Sequence, residues 1–246
     1  ILSMDSLDSE CVDNGLALSE KDVPWVGRQL WAPDAVKVNG RYYLVFPAKD
    51  KDDIFRIGVA VSDSPVGPFT PQDNYIVGSY SIDPAVFVDD DGRIYCYNGG
   101  LWGGQLDMWQ SGSFNRDEHR PEGDEKALGP IYAEFTEDMT AFKEAPKMIE
   151  ILDENGEPLK ASDEERRYFE GPWMHKINGK YYLSYSTGTT HYVCYAEGDS
   201  PAGPFTYKGR IMEPVLGWTT HHSIVEIDGE WYLFYHDCTL SGGITH

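Results

Sequence analysis

Four short segments place acids or histidines just ahead of aromatic-rich runs: "LWAPDAV", "SIDPAVF", "FEGPWMH" and "THHSIVE". They supply Asp34, Asp83, Glu170, and His221 with His222. A single Asp-Pro or Glu-Gly-Pro reads as a strand start or as a loop acid bonded to backbone N–H groups. Three such acids at corresponding points of successive repeats read as one shared site. Two or three carboxylates around a pocket suit glycoside hydrolysis: one protonates the leaving oxygen while an ionised partner activates water or attacks carbon. A neighbouring carboxylate and partial burial raise the pKa of the acid. Tryptophan faces complete a sugar site by covering the apolar face of the ring. Trp31, Trp102, Trp109 and Trp173 lie near these segments or in the glycine-rich loop "NGGLWGGQLDMW" (98–109), and Trp31 and Trp102 are the leading candidates.

Residues so far apart in sequence need a repeating scaffold to bring them together. Four hairpin cores align: "VKVNGRYYLVF" (36–46), "VFVDDDGRIYCY" (86–97), "HKINGKYYLSY" (175–185) and "VEIDGEWYLFY" (225–235). Each is a short apolar strand, an Asn-Gly or Asp-Gly turn and an alternating Tyr-rich strand, the period-2 signature of a sheet. A second repeat, "VSDSPVGPF" (61–69) and "EGDSPAGPF" (197–205), follows two of them and predicts a strand ending in a Pro/Gly turn. Only 160–169 reads as a short helical turn. Repeats of about 50 residues built from short antiparallel strands predict an all-β fold of β-propeller blades. In a propeller the innermost strands run along a central channel, so polar residues at one end of each gather at its mouth. We expect one domain over residues 1–246 with four recognisable blades. The first thirty residues read as the outer part of a preceding blade, so the expectation is a fragment of a five-bladed propeller, truncated at both ends.

Composition narrows the partners. A formal charge of −21 over 246 residues argues against nucleic acid, whose phosphates need Lys and Arg. It argues equally against an anionic membrane surface, and no stretch approaches the ~18 apolar residues of a spanning helix. Cys11, Cys96, Cys194 and Cys238 show no CxxC spacing, and Cys96 and Cys194 fall in predicted strands as small buried hydrophobes. No cluster has zinc spacing, and neither a GxSxG nor a phosphate-cradling loop is present. His191 reads as a structural histidine. The sequence opens on Ile1, so it does not decide between a soluble cytoplasmic and a secreted protein.

With these motifs in order, the chain resembles glycoside hydrolase family 43, five-bladed propeller enzymes that act as β-xylosidases, α-L-arabinofuranosidases and endo-arabinanases. The resemblance is carried by "LWAPDAVKVNGRYYLVFPA", "GSYSIDPAVFVDDDG", "GGLWGGQL", "FEGPWMHKINGKYYLSYSTG" and "WTTHHSIVEIDGEWYLFYHD", spanning residues 30 to 246. It implies an inverting glycosidase acting on xylose- or arabinose-containing glycans. Glu170 matches the general acid and Asp83 the residue that tunes and orients it. His221 matches a channel histidine that contacts substrate and, in some members, helps hold a central calcium ion. Asp34 and Trp31, with Trp102 and Trp173, are implied near the sugar subsite. No cofactor is implied as a requirement of the chemistry. The family's catalytic base matches no position here and is expected N-terminal to Ile1, and a substrate-binding arginine of some members is expected beyond His246. Two alternatives stand beside this reading: a retaining propeller fructosidase, against which Ser81-Ile82 and Gly171 count, and a sugar-binding propeller without catalysis.

Overall fold

The computed structural model describes residues 1–217 and 221–243; Trp218, Thr219 and Thr220, which precede the histidines of the fourth motif, lie outside them. Four antiparallel sheets follow one another along the chain. In the first, Val26–Arg28 and Asp34–Val38 share one edge of the long strand Arg41–Asp50, whose other edge pairs with Phe55–Ser62 and then Thr70–Pro71. The second runs Ala85–Val88, Ile94–Asn98, Ile131–Glu134, Lys147–Met148. The third runs Glu170–Ile177, Lys180–Ser186, Val193–Gly198, Phe205–Met212, with Ile151–Leu152 added in parallel at its outer edge. The fourth is the hairpin His222–Ile227 and Glu230–Tyr235. A separate small hairpin joins Leu2–Ser3 to Val12–Asp13.

The arrangement is that of propeller blades. Asp34–Val38 lies beside Ala85–Val88, which lies beside Glu170–Ile177, which lies beside His222–Ile227, so the leading strands of consecutive sheets line a common axis. Strand alternation explains how the blades hold together. Ile94 and Cys96 face the first sheet and pack with Val45, Ile57 and Val59, whereas Tyr95 and Tyr97 face the third and pack with Tyr181, Leu183 and Tyr185. Each buried strand therefore serves two cores, one per face. Cys96 and Cys194 are buried and all four cysteines are free, so the two predicted strand cysteines are indeed core residues.

Three hairpins close through the expected two-residue turns, with positive φ at both central residues: Asn39 and Gly40, Asn178 and Gly179, Asp228 and Gly229. The second hairpin differs. Asp89 and Arg93 still pair, Asp89 N–H to Arg93 O at 2.9 Å, and only Gly92 within Asp90-Asp91-Gly92 has positive φ. The extra residue makes it a three-residue loop ending in a left-handed glycine. Both Ser-Pro-x-Gly-Pro-Phe repeats form the same turn, Gly67 N–H to Ser64 O at 3.1 Å and Gly203 N–H to Ser200 O at 3.0 Å, returning Phe69 and Phe205 to the core.

Within 160–169 the expected short helical turn forms at Asp163, whose C=O accepts from Arg166 N–H at 3.2 Å and Arg167 N–H at 2.9 Å, and it does not grow into a helix. The start of the segment is tied instead to the inserted segment, with Ala161 N–H donating to Glu125 O at 2.8 Å and Ser162 N–H to Gly123 O at 2.9 Å. The helices among the described residues are 3-10, at Glu20–Asp22, Trp102–Gly104 and Leu106–Trp109. None of the helices is long and apolar enough to cross a membrane.

Candidate active site

Glu170 is aimed by a β-bulge. Across the Glu170–Ile177/Lys180–Ser186 pairing, Glu170 stands opposite Ser186 and Trp173 opposite Ser184, so two residues, Gly171 and Pro172, face one. The extra residue kinks the strand and turns the leading side chain. Gly171 adopts φ +62°, which suits glycine, and a Cβ there would lie in ordinary contact with the His221 ring at 3.6 Å. Its freed N–H donates to Asp83 Oδ2 at 3.3 Å.

Asp83 sits on a second kink, with Ser81 at φ +71° and Asp83 at φ +59°. Left-handed backbone costs a non-glycine residue about 1–2 kcal/mol, less for Asp, and surrounding bonds hold it. Ser81 Oγ donates to Gly104 O at 2.7 Å and accepts the Gly100 N–H at 3.0 Å, while Asn98 Nδ2 donates to Tyr80 O at 2.6 Å. The glycine-rich loop closes directly over Ile82: a Cβ on Gly100 or Gly104 would come within 2.6 or 2.7 Å of that side chain.

The kinks converge. Asp83 is buried, and its Oδ2 lies 3.2 Å from His221 Nε2. Potential ligand atoms of Asp83, Glu170 and His221 all fall within 4.8 Å of one another. Burial opposes the charged imidazole of His221, but the Asp83 carboxylate, by charge and hydrogen bond, and Glu170 beyond it raise its pKa to about 9.

Two cavities meet at this cluster. The mouth cavity, about 430 Å³, is lined by Trp31, Trp102, Phe169, Glu170, Ile82 and the 101–104 loop, with Asp83 and His221 at its base. Trp31 leans on Phe55 with centroids 4.7 Å apart, and Gly103 lets the loop approach the Trp31 ring, where a Cβ would sit at 3.4 Å. Trp102 meets Phe169 edge to face at 5.0 Å. The channel cavity, about 320 Å³, lies on the other side of Asp83 and His221 and is lined by Asp34, Trp173, His222 and His236 among others.

The structure thus brings Glu170, Asp83, His221, Trp31 and Trp102 together and sets Asp34 and Trp173 apart from the mouth. Asp34 accepts N–H bonds from Val86 at 2.7 Å and Ala35 at 2.8 Å, pinning the first sheet to the second, and burial pushes its pKa up to about 6 against those bonds. Trp173 donates from Nε1 to Ile224 O at 3.0 Å, joining the third and fourth sheets. Trp109 stacks on Tyr80 at 4.5 Å, outside both cavities. His191 N–H closes a turn to Gly188 O at 3.1 Å, and the residue lines neither cavity. Sequence reasoning missed Phe169, Ile82 and the Gly171 N–H; their adjacency to Glu170 and Asp83 was the available signal.

Among the described residues, Asp83, Glu170 and His221 form the group able to hold a metal ion. Two carboxylates and an imidazole beside a cavity with room for water fit a hard divalent cation that completes its shell with water, provided His221 gives up its proton.

Comparisons with known proteins follow the geometry. A family model described as "Glycosyl hydrolases family 43" matches residues 14–245. The chain is 62% identical to a xylosidase/arabinosidase 43A of Humicola insolens, over all of this chain and 78% of that protein. It is 57% identical to a xylosidase/arabinosidase of Bacteroides ovatus, over all of this chain and 76% of that protein. Among solved structures, a β-xylosidase/α-arabinofuranosidase from a compost microbial metagenome, in complex with xylotriose and in a calcium-free form, superposes with TM-score 0.96 at 61% identity. That match covers all of this chain and 76% of the other. An enzyme of the same family from Xanthomonas citri complexed with xylose also gives TM-score 0.96, at 54% identity over 99% of this chain and 73% of the other.

Proposed function

The chain belongs to glycosyl hydrolases family 43, a glycosidase on the five-bladed propeller expected from its repeats, and on that footing we propose that it releases xylose or arabinofuranose from xylan-type oligosaccharides by inversion. The observation that carries the proposal is the Asp83–Glu170–His221 cluster at the base of the cavity walled by Trp31 and Trp102. Glu170, aimed by its bulge, protonates the departing glycosidic oxygen. Asp83 fixes the Gly171 N–H and the His221 ring beside Glu170 and so orients the acid. Trp31 and Trp102 hold the sugar, with His221 below it. Inversion requires a base roughly 6.5–9.5 Å from the acid, with water between. The described lining of the mouth holds two carboxylates, Asp83 and Glu170, and neither is assigned to the base.

The acid–base chemistry so proposed needs no cofactor. A divalent cation such as calcium would be held by His221 with Asp83 and Glu170 in reach, and would supply fixed positive charge at the cavity base. Glu170→Gln tests the assignment in the intact protein. Turnover of xylobiose should fall by about 10²–10⁴, and less for an aryl xyloside whose phenolate leaves unaided. Near-normal turnover of both would remove Glu170 from the role.

A further inference from the structure

The two tryptophans that wall the mouth are held in different ways. Trp31 is tied to the first sheet, where its N–H donates to Pro47 O at 3.0 Å and its ring rests on Phe55. Trp102 sits in the run Gly99-Gly100-Leu101-Trp102-Gly103-Gly104, and glycines leave a backbone little conformational preference of its own. The φ of Trp102 is +53°, a left-handed value that a residue with a Cβ avoids. Such a conformation persists where its surroundings hold it, so the contacts of the ring matter here more than the path of the loop.

One of those contacts comes from the excursion between Ile94–Asn98 and Ile131–Glu134. The Arg120 guanidinium lies over the Trp102 ring, 5.7 Å from its centroid, within range of a cation–π attraction. It is aimed there by Asp107, whose Oδ2 lies 3.0 Å from both Nε and Nη2. Gln110 Nε2 donates to Asp107 O at 3.0 Å and to His119 O at 2.5 Å, which fixes the backbone on either side of the ion pair. Glu118 in turn accepts the Ser111 N–H at 3.0 Å. Asp107 is buried, and its Oδ1 has no hydrogen-bond partner among the described residues. A buried ion pair with one oxygen left unsatisfied is a poor source of stability. What the pair does produce is a guanidinium pinned over the ring that walls the sugar cavity. Arg120 does not itself line that cavity, so any effect on the sugar passes through Trp102.

We propose that Arg120 is a positioning residue: through its ion pair with Asp107 it holds the Trp102 ring at the cavity wall, and so sets the affinity for the sugar without touching it. The inference rests on the glycosidase reading of the cavity, in which Trp102 holds the sugar, and deepens it.

The test is a cycle of four intact proteins, wild type, Arg120→Met, Trp102→Ala and the double variant, with kcat and KM measured on xylobiose. Methionine keeps an apolar stem and removes the guanidinium. Arg120→Met should raise KM about five- to tenfold, the scale of a partly desolvated cation–π contact. The kcat should stay within about threefold of wild type, the signature of lost ground-state binding. On the Trp102→Ala background the same substitution should change KM by no more than about twofold, because the ring it acts on is gone. A KM rise that persists on that background overturns the proposal, as does a wild-type KM in Arg120→Met. A fall in kcat with KM unchanged marks a merely structural role and overturns it too. Arg120→Met leaves the Asp107 carboxylate buried without its partner, so Asp107→Asn combined with Arg120→Met, which removes both charges, is measured beside it. The same KM rise is expected there, and a wild-type KM overturns the proposal. Calorimetry with xylotriose separates this from the catalytic reading. Weaker binding in Arg120→Met, absent on the Trp102→Ala background, supports the positioning role even if no compound is cleaved; equal binding by wild type and Arg120→Met overturns it.

Discussion

Asp83 and His221 face each other at 3.2 Å across the boundary between the mouth cavity and the channel cavity, and both line each of them. This contact ties the second sheet to the segment that opens the fourth and also borders the sugar pocket. Asp83→Asn keeps the shape and an acceptor for the Gly171 N–H but removes the charge opposite His221. We expect kcat on an aryl xyloside to fall about a hundredfold, the range for removal of one preorganised electrostatic contact. Thermal denaturation should show a folded protein. Activity within twofold of wild type would show that Asp83 is not needed for the chemistry.

Gly171→Ala tests the bulge. The φ of +62° costs a residue with a Cβ about 1–2 kcal/mol, and the added methyl would touch His221 at 3.6 Å. The variant should lose a few degrees of Tm and more than tenfold in kcat, with KM changed far less. A loss confined to KM would place the defect in sugar binding and not in the aim of Glu170.

Gly104→Ala tests the closure of the loop over Ile82. A Cβ at 2.7 Å from the Ile82 side chain forces one of the two to move, at a cost of about 1–3 kcal/mol. Ile82→Val in the same chain removes part of the obstruction, so the double variant should recover stability relative to Gly104→Ala. Denaturant titration of the four proteins of the cycle measures the coupling. Purely additive losses would mean that the contact does not limit the loop.

Acid stability is set in part by His175, packed between Tyr182 at 5.3 Å and Trp231 at 5.4 Å with Nδ1 buried and unbonded. Burial pushes its pKa down to about 4, against about 6.5 in an unfolded chain. Between these values the unfolded state binds more protons, so stability rises with pH. The contribution is intact above about pH 6.5 and is lost as pH falls toward 4. His175→Phe keeps a ring in the stack and removes the titration, so Tm should fall less steeply between pH 6.5 and 4 than in wild type. A residual slope remains from other groups, including His222, which burial pushes down to about 3. Identical slopes in both proteins would rule His175 out.

Much of this protein is written locally. Asn-Gly and Asp-Gly determine the turns because two consecutive positive φ values leave few residue choices, and the Tyr-rich alternation determines which strands have two buried faces. The recurrence of Asp34, Asp83, Glu170 and the histidines at the strand entries of successive repeats was enough to predict that they gather at one end of a propeller. The sequence did not separate them. Asp34 and Asp83 both precede strands in Pro-flanked motifs, yet Asp34 spends its oxygens on Val86 and Ala35, whereas Asp83 meets His221 and Gly171. Trp31 and Trp173 likewise differ only by what lies opposite them, a glycine-lined cavity for one and the Ile224 carbonyl for the other. The bulge at Gly171 and the kink at Ser81–Asp83 were likewise decided by tertiary structure. A side chain's partner depends on how neighbouring sheets twist and close around the axis, and no local pattern encodes that distance.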